Sequence, residues 1–115
     1  MKKGPEKRRF PRVEVQMKVD IKTTFVYTTA SVLNISERGV YIRTLNPLPI
    51  GSEIEMNLYF PGLEEPLKFV GVIRWINQSG EDPEIPPGMG VELIEAPEEG
   101  IKLLKEQMAV TPKNF

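Results

Sequence analysis

A run of strict alternation near the start of the chain constrains its fold more than any other feature. Val13, Val15, Met17, Val19 and Ile21 are apolar, and Glu14, Gln16, Lys18 and Asp20 between them are polar or charged. Successive side chains of an extended strand point to opposite faces, so this segment buries one face and solvates the other only as a β-strand. A helix would scatter the same residues around its circumference. A half-buried strand needs neighbours to pair with and apolar surface to cover, which commits the chain to a sheet.

The rest of the sequence supplies those neighbours. Residues 25–33 and 40–44 are β-rich, and the segment from Asn46 through Pro47, Pro49 and Gly51 reads as a loop because prolines fit no ladder interior. Alternation returns at Ile54, Met56, Leu58 and Phe60 and stops at Pro61-Gly62. In residues 67–76, Leu67, Phe69, Ile73 and Trp75 fall on one face; Gly71 falls on the same face and predicts a bulge or sharp bend. Trp75 is expected to pack in the core or at its rim. A polar, proline-rich loop covers 77–87, and Met89, Val91 and Leu93 form a sixth strand.

The last element follows a different period. Pro97 suits a first helical turn, Glu98 and Glu99 complement the dipole there, and Ile101, Leu104 and Met108 recur at helical spacing. Gly100 works against this helix by about 1 kcal/mol relative to alanine. The fold class expected is mainly β: a six-stranded antiparallel β-barrel with a short C-terminal α-helix over 98–110.

Composition narrows the chemistry. A chain of 115 residues is one domain with a core large enough to fold unaided. It contains no cysteine and no histidine, so disulfides, thiolate metal sites and the commonest general base are all missing. No clustered D-x-D pattern offers a carboxylate metal site. The expectation is a non-enzyme with no catalytic residues, no metal and no cofactor. No apolar run reaches the length of a membrane span and no signal segment follows the charged start, so a cytoplasmic protein without membrane insertion is expected.

Net charge is near zero but unevenly placed. Lys2, Lys3, Lys7, Arg8, Arg9 and Arg12 face only Glu6 in the first twelve residues, while acids outnumber bases from Glu81 onward. Residues 1–12, with Gly4, Pro5 and Pro11, read as a flexible basic arm on a barrel domain spanning 13–115. A basic arm on a neutral-to-acidic body points to one local anion site and not to an all-over nucleic-acid surface.

Two clusters carry what remains. The arm holds Arg8 and Arg12 four residues apart, with Arg9 between them. Pro11 disfavours a helix there, and in extended chain the separation is roughly 13 Å, enough for two guanidinium groups to grip different parts of one dianion. The second cluster, Asn34-Ile35-Ser36-Glu37-Arg38-Gly39, reads as a turn between two strands. It would expose an amide, a hydroxyl and free backbone N–H groups at the barrel rim. Taken singly, one is a basic tail and the other an ordinary β-connection.

Taken together, an R-x-x-x-R arm, a strand and an N-x-S-x-x-G turn resemble the PilZ domain family. The segments Gly39-Val40-Tyr41-Ile42, Pro49-Ile50-Gly51, Val72-Ile73-Arg74-Trp75-Ile76 and Gly88-Met89-Gly90-Val91-Glu92-Leu93 are similar as well. The resemblance implies a six-stranded barrel with a helix and a bacterial receptor for cyclic di-GMP, two guanosines joined by two phosphodiesters. It implies that Arg8 and Arg12 grip phosphate and guanine, with Arg9 or Arg12 stacking on a base. Asn34 would accept from a guanine, Ser36 would bond the ligand or brace the turn, and Gly39 would give close backbone access. Lys7, just before the arginine motif, bears on whether one ligand or an intercalated pair binds. The family allows aspartate where Asn34 stands; an amide has one accepting oxygen and a carboxylate two, so Asn34→Asp is expected to tighten binding. With no catalytic constellation, output would be mechanical. The arm closes over the ligand, becomes ordered and alters a surface read by an unidentified protein effector, in motility, pilus or biofilm machinery. The alternatives are a PilZ-fold adaptor that binds no nucleotide and a small-barrel nucleic-acid-binding module.

Overall fold

The computed structural model describes residues 13–36, 38–78 and 85–110. Six strands, β1 (Val13–Lys22), β2 (Tyr27–Ile35), β3 (Gly39–Arg43), β4 (Glu53–Leu58), β5 (Leu67–Asn77) and β6 (Gly88–Glu95), are followed by one helix, α1 (Glu98–Val110). All strand pairings are antiparallel and close into a barrel in the order β1-β2-β3-β6-β5-β4. The expected fold class is the observed one. Closure leaves no sheet edge, and the inward faces meet in a single core that includes Val19, Ile21, Val32, Ile42, Ile54, Met56, Phe69 and Ile73.

The period-two reading locates β1 correctly and fails for one of its polar residues. Asp20 is buried, 6% exposed, although it lies out of phase with the apolar face. Hydroxyls surround its carboxylate: Tyr59 donates at 2.6 Å, Thr29 at 2.8 Å and Tyr27 at 3.3 Å. The Tyr59 bond chiefly, then that of Thr29, hold the Asp20 carboxyl below its ordinary range against the opposing effect of burial; the Lys18 charge and Tyr27 add to this. The same hydrogen bond pushes the Tyr59 hydroxyl up. Asp20 thereby ties β1 to β2 and to the end of β4 on the outside of the barrel.

Two further expectations shift. The second strand begins at Tyr27 and not at Phe25, because Thr23 to Val26 form a turn in which Thr23 N–H donates to the Val26 carbonyl at 2.8 Å. The Thr23 hydroxyl oxygen also accepts from the Phe25 and Val26 amides. Phe25 is consequently 93% exposed. In β5 the register against β6 slips at Val70/Gly71 and again at Ile73/Trp75. The first slip is the bulge that Gly71 predicts. The second turns Trp75 out of the core while Asn77 is buried.

Helix α1 begins where expected and packs on β5. Leu104 is its buried anchor, Leu103 and Met108 are partly covered, and Ile101 remains 44% exposed, so the predicted apolar stripe is only partly used. Gly100 stands over the Phe69 ring, where a methyl group would meet the ring carbons. The residue that costs helix propensity is what lets the helix lie close to the barrel.

Candidate functional site

The N-x-S-x-x-G cluster is not a free turn. Asn34 lies within β2, opposite both Glu14 of β1 and Tyr41 of β3, and Gly39 is the first residue of β3. The reversal occupies only the residues between Ile35 and Gly39. Nor are the described backbone donors at Ser36 and Arg38 free as expected. Ser36 N–H donates to the Gly39 carbonyl at 2.9 Å, and the Arg38 amide makes a long contact, 3.4 Å, to Ser36 Oγ. On the other side the Arg38 carbonyl accepts from Leu93 N–H of β6 at 2.9 Å. The turn is therefore stapled to β6 as well as closed on itself.

Gly39 owes its lack of a side chain to that stapling. A Cβ at this position would lie inside contact distance of the Val91 carbonyl oxygen and 3.2 Å from its carbon. Both are backbone atoms, which cannot rotate away as a side chain would.

The turn forms one wall of an open pocket of about 280 Å³. Asn34, Ser36, Arg38 and Gly39 line this side, and Arg74, Trp75 and Glu92 of β5 and β6 line the other. Trp75 is 38% exposed and stacks on Tyr41, with ring centroids 5.4 Å apart and planes at 25°. Its indole lies over Gly90, where any side chain would overlap it. Tyr41 is fixed in turn: its hydroxyl donates to the Pro86 carbonyl at 2.6 Å, and Asn77 Nδ2 reaches the Ile85 and Pro86 carbonyls. The floor is thus a rigid aromatic platform, held from below by the loop that precedes β6. Arg74 Nε pairs with Glu92 Oε1 at 2.6 Å across the β5–β6 ladder.

The structure brings Asn34, Ser36 and Gly39 to this pocket. Arg8, Arg9 and Arg12 lie outside the described residues. Val13, covalently next to Arg12, pairs with Ile35, immediately before Ser36, so the segment bearing the arginines joins the barrel beside the turn. Sequence reading did not assign Arg38, Tyr41, Arg74, Trp75 or Glu92 to the site. Arg38 falls at a variable position of the motif, Tyr41 lies two residues beyond Gly39 on β3, and Arg74, Trp75 and Glu92 reach the pocket only through the pairing of β3 with β6 and of β6 with β5. Among the described residues no helix is long and apolar enough to cross a membrane, and no group of three metal-ligating side chains occurs.

These features define a small closed β-barrel whose outer wall carries a partly polar pocket with an aromatic floor. Residues 6–109 match the PilZ domain model, and the chain belongs to that family. Solved structures share the fold at low identity. The Bacillus subtilis inhibitor of motility, MotI/DgrA, superposes with a TM-score of 0.67 at 19% identity, covering 89% of this chain and 50% of its own. The Borreliella burgdorferi PlzA protein in complex with c-di-GMP gives 0.64 at 11% identity, covering 88% and 40%. The PilZ domain of Escherichia coli YcgR, solved with c-di-GMP, gives 0.63 at 16% identity and covers 91% of both chains. This chain therefore spans half or less of the first two proteins and nearly all of the isolated YcgR domain. A comparison with curated proteins gives no match.

Proposed function

We propose that this protein is a cyclic di-GMP receptor whose ligand lies in the pocket between the Ser36–Gly39 turn and Trp75. The observation that carries the reading is the convergence of Asn34, Ser36 and Gly39 on one pocket, with the strand that continues the arginine-bearing segment entering beside them. Two structural relatives were solved with c-di-GMP, which supports it. In this reading Arg8 and Arg12 grip the phosphates and a guanine Hoogsteen edge as bidentate forks, and Arg9 takes a secondary stacking role. Asn34 accepts from a guanine N–H, Ser36 keeps the turn closed, and Gly39 lets β3 lie against β6. Residues 1–12 act as the moving arm on the barrel of 13–115, and their ordering over the ligand presents a changed surface to a protein effector. One relative is named an inhibitor of motility, which keeps motility machinery among the candidate partners. The protein acts as a cytoplasmic, non-catalytic switch with no metal or cofactor.

Calorimetric titration with cyclic di-GMP tests this, reading affinity and stoichiometry together. Arg8→Ala and Arg12→Ala should each abolish tight binding and leave the thermal melt of the barrel nearly unchanged. Binding that survives both substitutions, or backbone NMR in which residues 1–12 are equally mobile with and without ligand, would sink the arm mechanism.

A further inference from the structure

A carboxylate is an unexpected lining for a pocket meant to hold a dianion, and Glu92 is one. It lies opposite Gly39 in the β3–β6 ladder and opposite Val72 in the β5–β6 ladder, so it borders the second motif directly. Its pairing with Arg74 does not explain its presence through stability, because the two side chains are 37% and 54% exposed and surface pairs of this kind contribute little. The pairing does change what Glu92 presents to a ligand. Arg74 neutralises its charge, so the acid need not repel phosphate. The contact also engages only Oε1 and Nε, leaving Oε2 of Glu92 and the two terminal nitrogens of Arg74 as hydrogen-bonding capacity.

Guanine presents two adjacent N–H donors on its Watson–Crick edge, N1–H and the exocyclic N2 amine. Asn34 supplies a single accepting oxygen and cannot satisfy both well. Trp75, backed by the buried Tyr41 ring, lines the same pocket as Glu92, so a base packed against the indole would lie near the acid. We propose that Glu92, held and neutralised by Arg74, is the residue that reads the guanine amine, making the pocket selective for guanine over bases without that donor. This rests on the receptor reading above.

The test is a titration of the full chain with cyclic di-GMP and with cyclic di-IMP, which lacks the exocyclic amine and keeps both phosphates and N1–H. The wild type should prefer cyclic di-GMP by about ten- to a hundredfold, the worth of a hydrogen bond to a charged group. Glu92→Ala should shrink that ratio by about tenfold or more, weakening cyclic di-GMP while leaving cyclic di-IMP nearly unchanged. Glu92→Gln, which retains one accepting oxygen and most of the packing, should keep part of the preference. Thermal melts of both variants check that the barrel is intact. Glu92→Ala tightening both ligands alike would mean that the carboxylate only repels phosphate, and would overturn the assignment. An unchanged ratio overturns it too. A wild type that binds neither nucleotide refutes the receptor reading itself, which separates that failure from this one.

Discussion

Replacing Gly39 with alanine separates two accounts of the motif's glycine, close access for a ligand and close approach of two strands. The added methyl group would press on the Val91 carbonyl oxygen, and both partners are backbone. Relief requires β3 and β6 to move apart where Gly39 opposes Glu92. That movement strains the flanking bonds, Leu93 N–H to the Arg38 carbonyl and Ser36 N–H to the Gly39 carbonyl, each 2.9 Å long. Overpacking of this kind costs about 1–3 kcal/mol and a lost hydrogen bond about 1 kcal/mol more, so a total near 2–4 kcal/mol is expected. An unfolding entropy of about 2.1 cal/mol/K per residue makes each kcal/mol worth roughly 4 °C in a chain of this length. The ligand-free protein should therefore melt about 8–16 °C lower, measured by circular dichroism or calorimetry. Gly51→Ala provides the comparison: φ there is 94° and no heavy atom lies within 4 Å of the new Cβ, so only left-handed backbone strain, about 1–2 kcal/mol, is added. A Gly39→Ala protein that melts within about 2 °C of wild type but no longer binds nucleotide would refute the strand-packing account.

Two further substitutions probe the barrel and the pocket. Because the Asp20 carboxyl is held below its ordinary value of about 3.8, its contribution to stability is fully present above that pH and is lost as pH falls through the lowered folded-state value. Asp20→Asn should flatten this acid limb in a series of urea midpoints, and an unaltered limb would mean that other carboxylates cause it. Asn34→Asp should gain a second acceptor for guanine, but Glu14 lies directly opposite in the β1–β2 register, and like charges facing each other across a ladder cost up to about 1 kcal/mol. The gain in cyclic di-GMP affinity should accordingly be larger in a Glu14→Gln background than in the wild type, as calorimetry would show; equal gains would exclude the charge conflict.

That last pair illustrates what the sequence could and could not convey. Alternation from Val13 to Ile21 and from Ile54 to Phe60 marks strands because side-chain direction is a local property with a period of two. The helix after Pro97 was legible for the same reason, with a different period. Register is not local. Nothing in the neighbourhood of Asn34 reveals that Glu14 faces it, and nothing in residues 67–76 reveals that a slip at Ile73/Trp75 takes the indole out of the core phase. Asp20 is buried because Tyr59, thirty-nine positions away, brings a hydroxyl to it. The pocket was half legible for this reason: its β2–β3 wall lies on one contiguous motif, and its β5–β6 wall exists only after the barrel closes.

The two walls are also mechanically one unit, and this bears on how a ligand could be felt beyond the pocket. Ser36 and Arg38 bond within the turn, Arg38 bonds on to Leu93, and Gly39 abuts Val91. Leu93 packs against the barrel core, and a second, largely apolar recess runs from Ser36 past Leu93 and Ala96 to Ile101, Leu104 and Met108 of α1. Ser36 thus borders both the candidate ligand pocket and the seat of the helix. A closed barrel transmits little by bending, because its packed core resists continuous deformation. A displacement of the Ser36–Gly39 turn would instead pass along the Leu93 hydrogen bond to the end of β6, where the chain turns into the helix. The N-terminal segment, joining at Val13 beside Ile35, enters at the same corner. In the receptor reading proposed above, ligand and arm would act on this turn beside the seat of the helix, and the turn, not the barrel wall, would then be where a bound anion changes the outer surface.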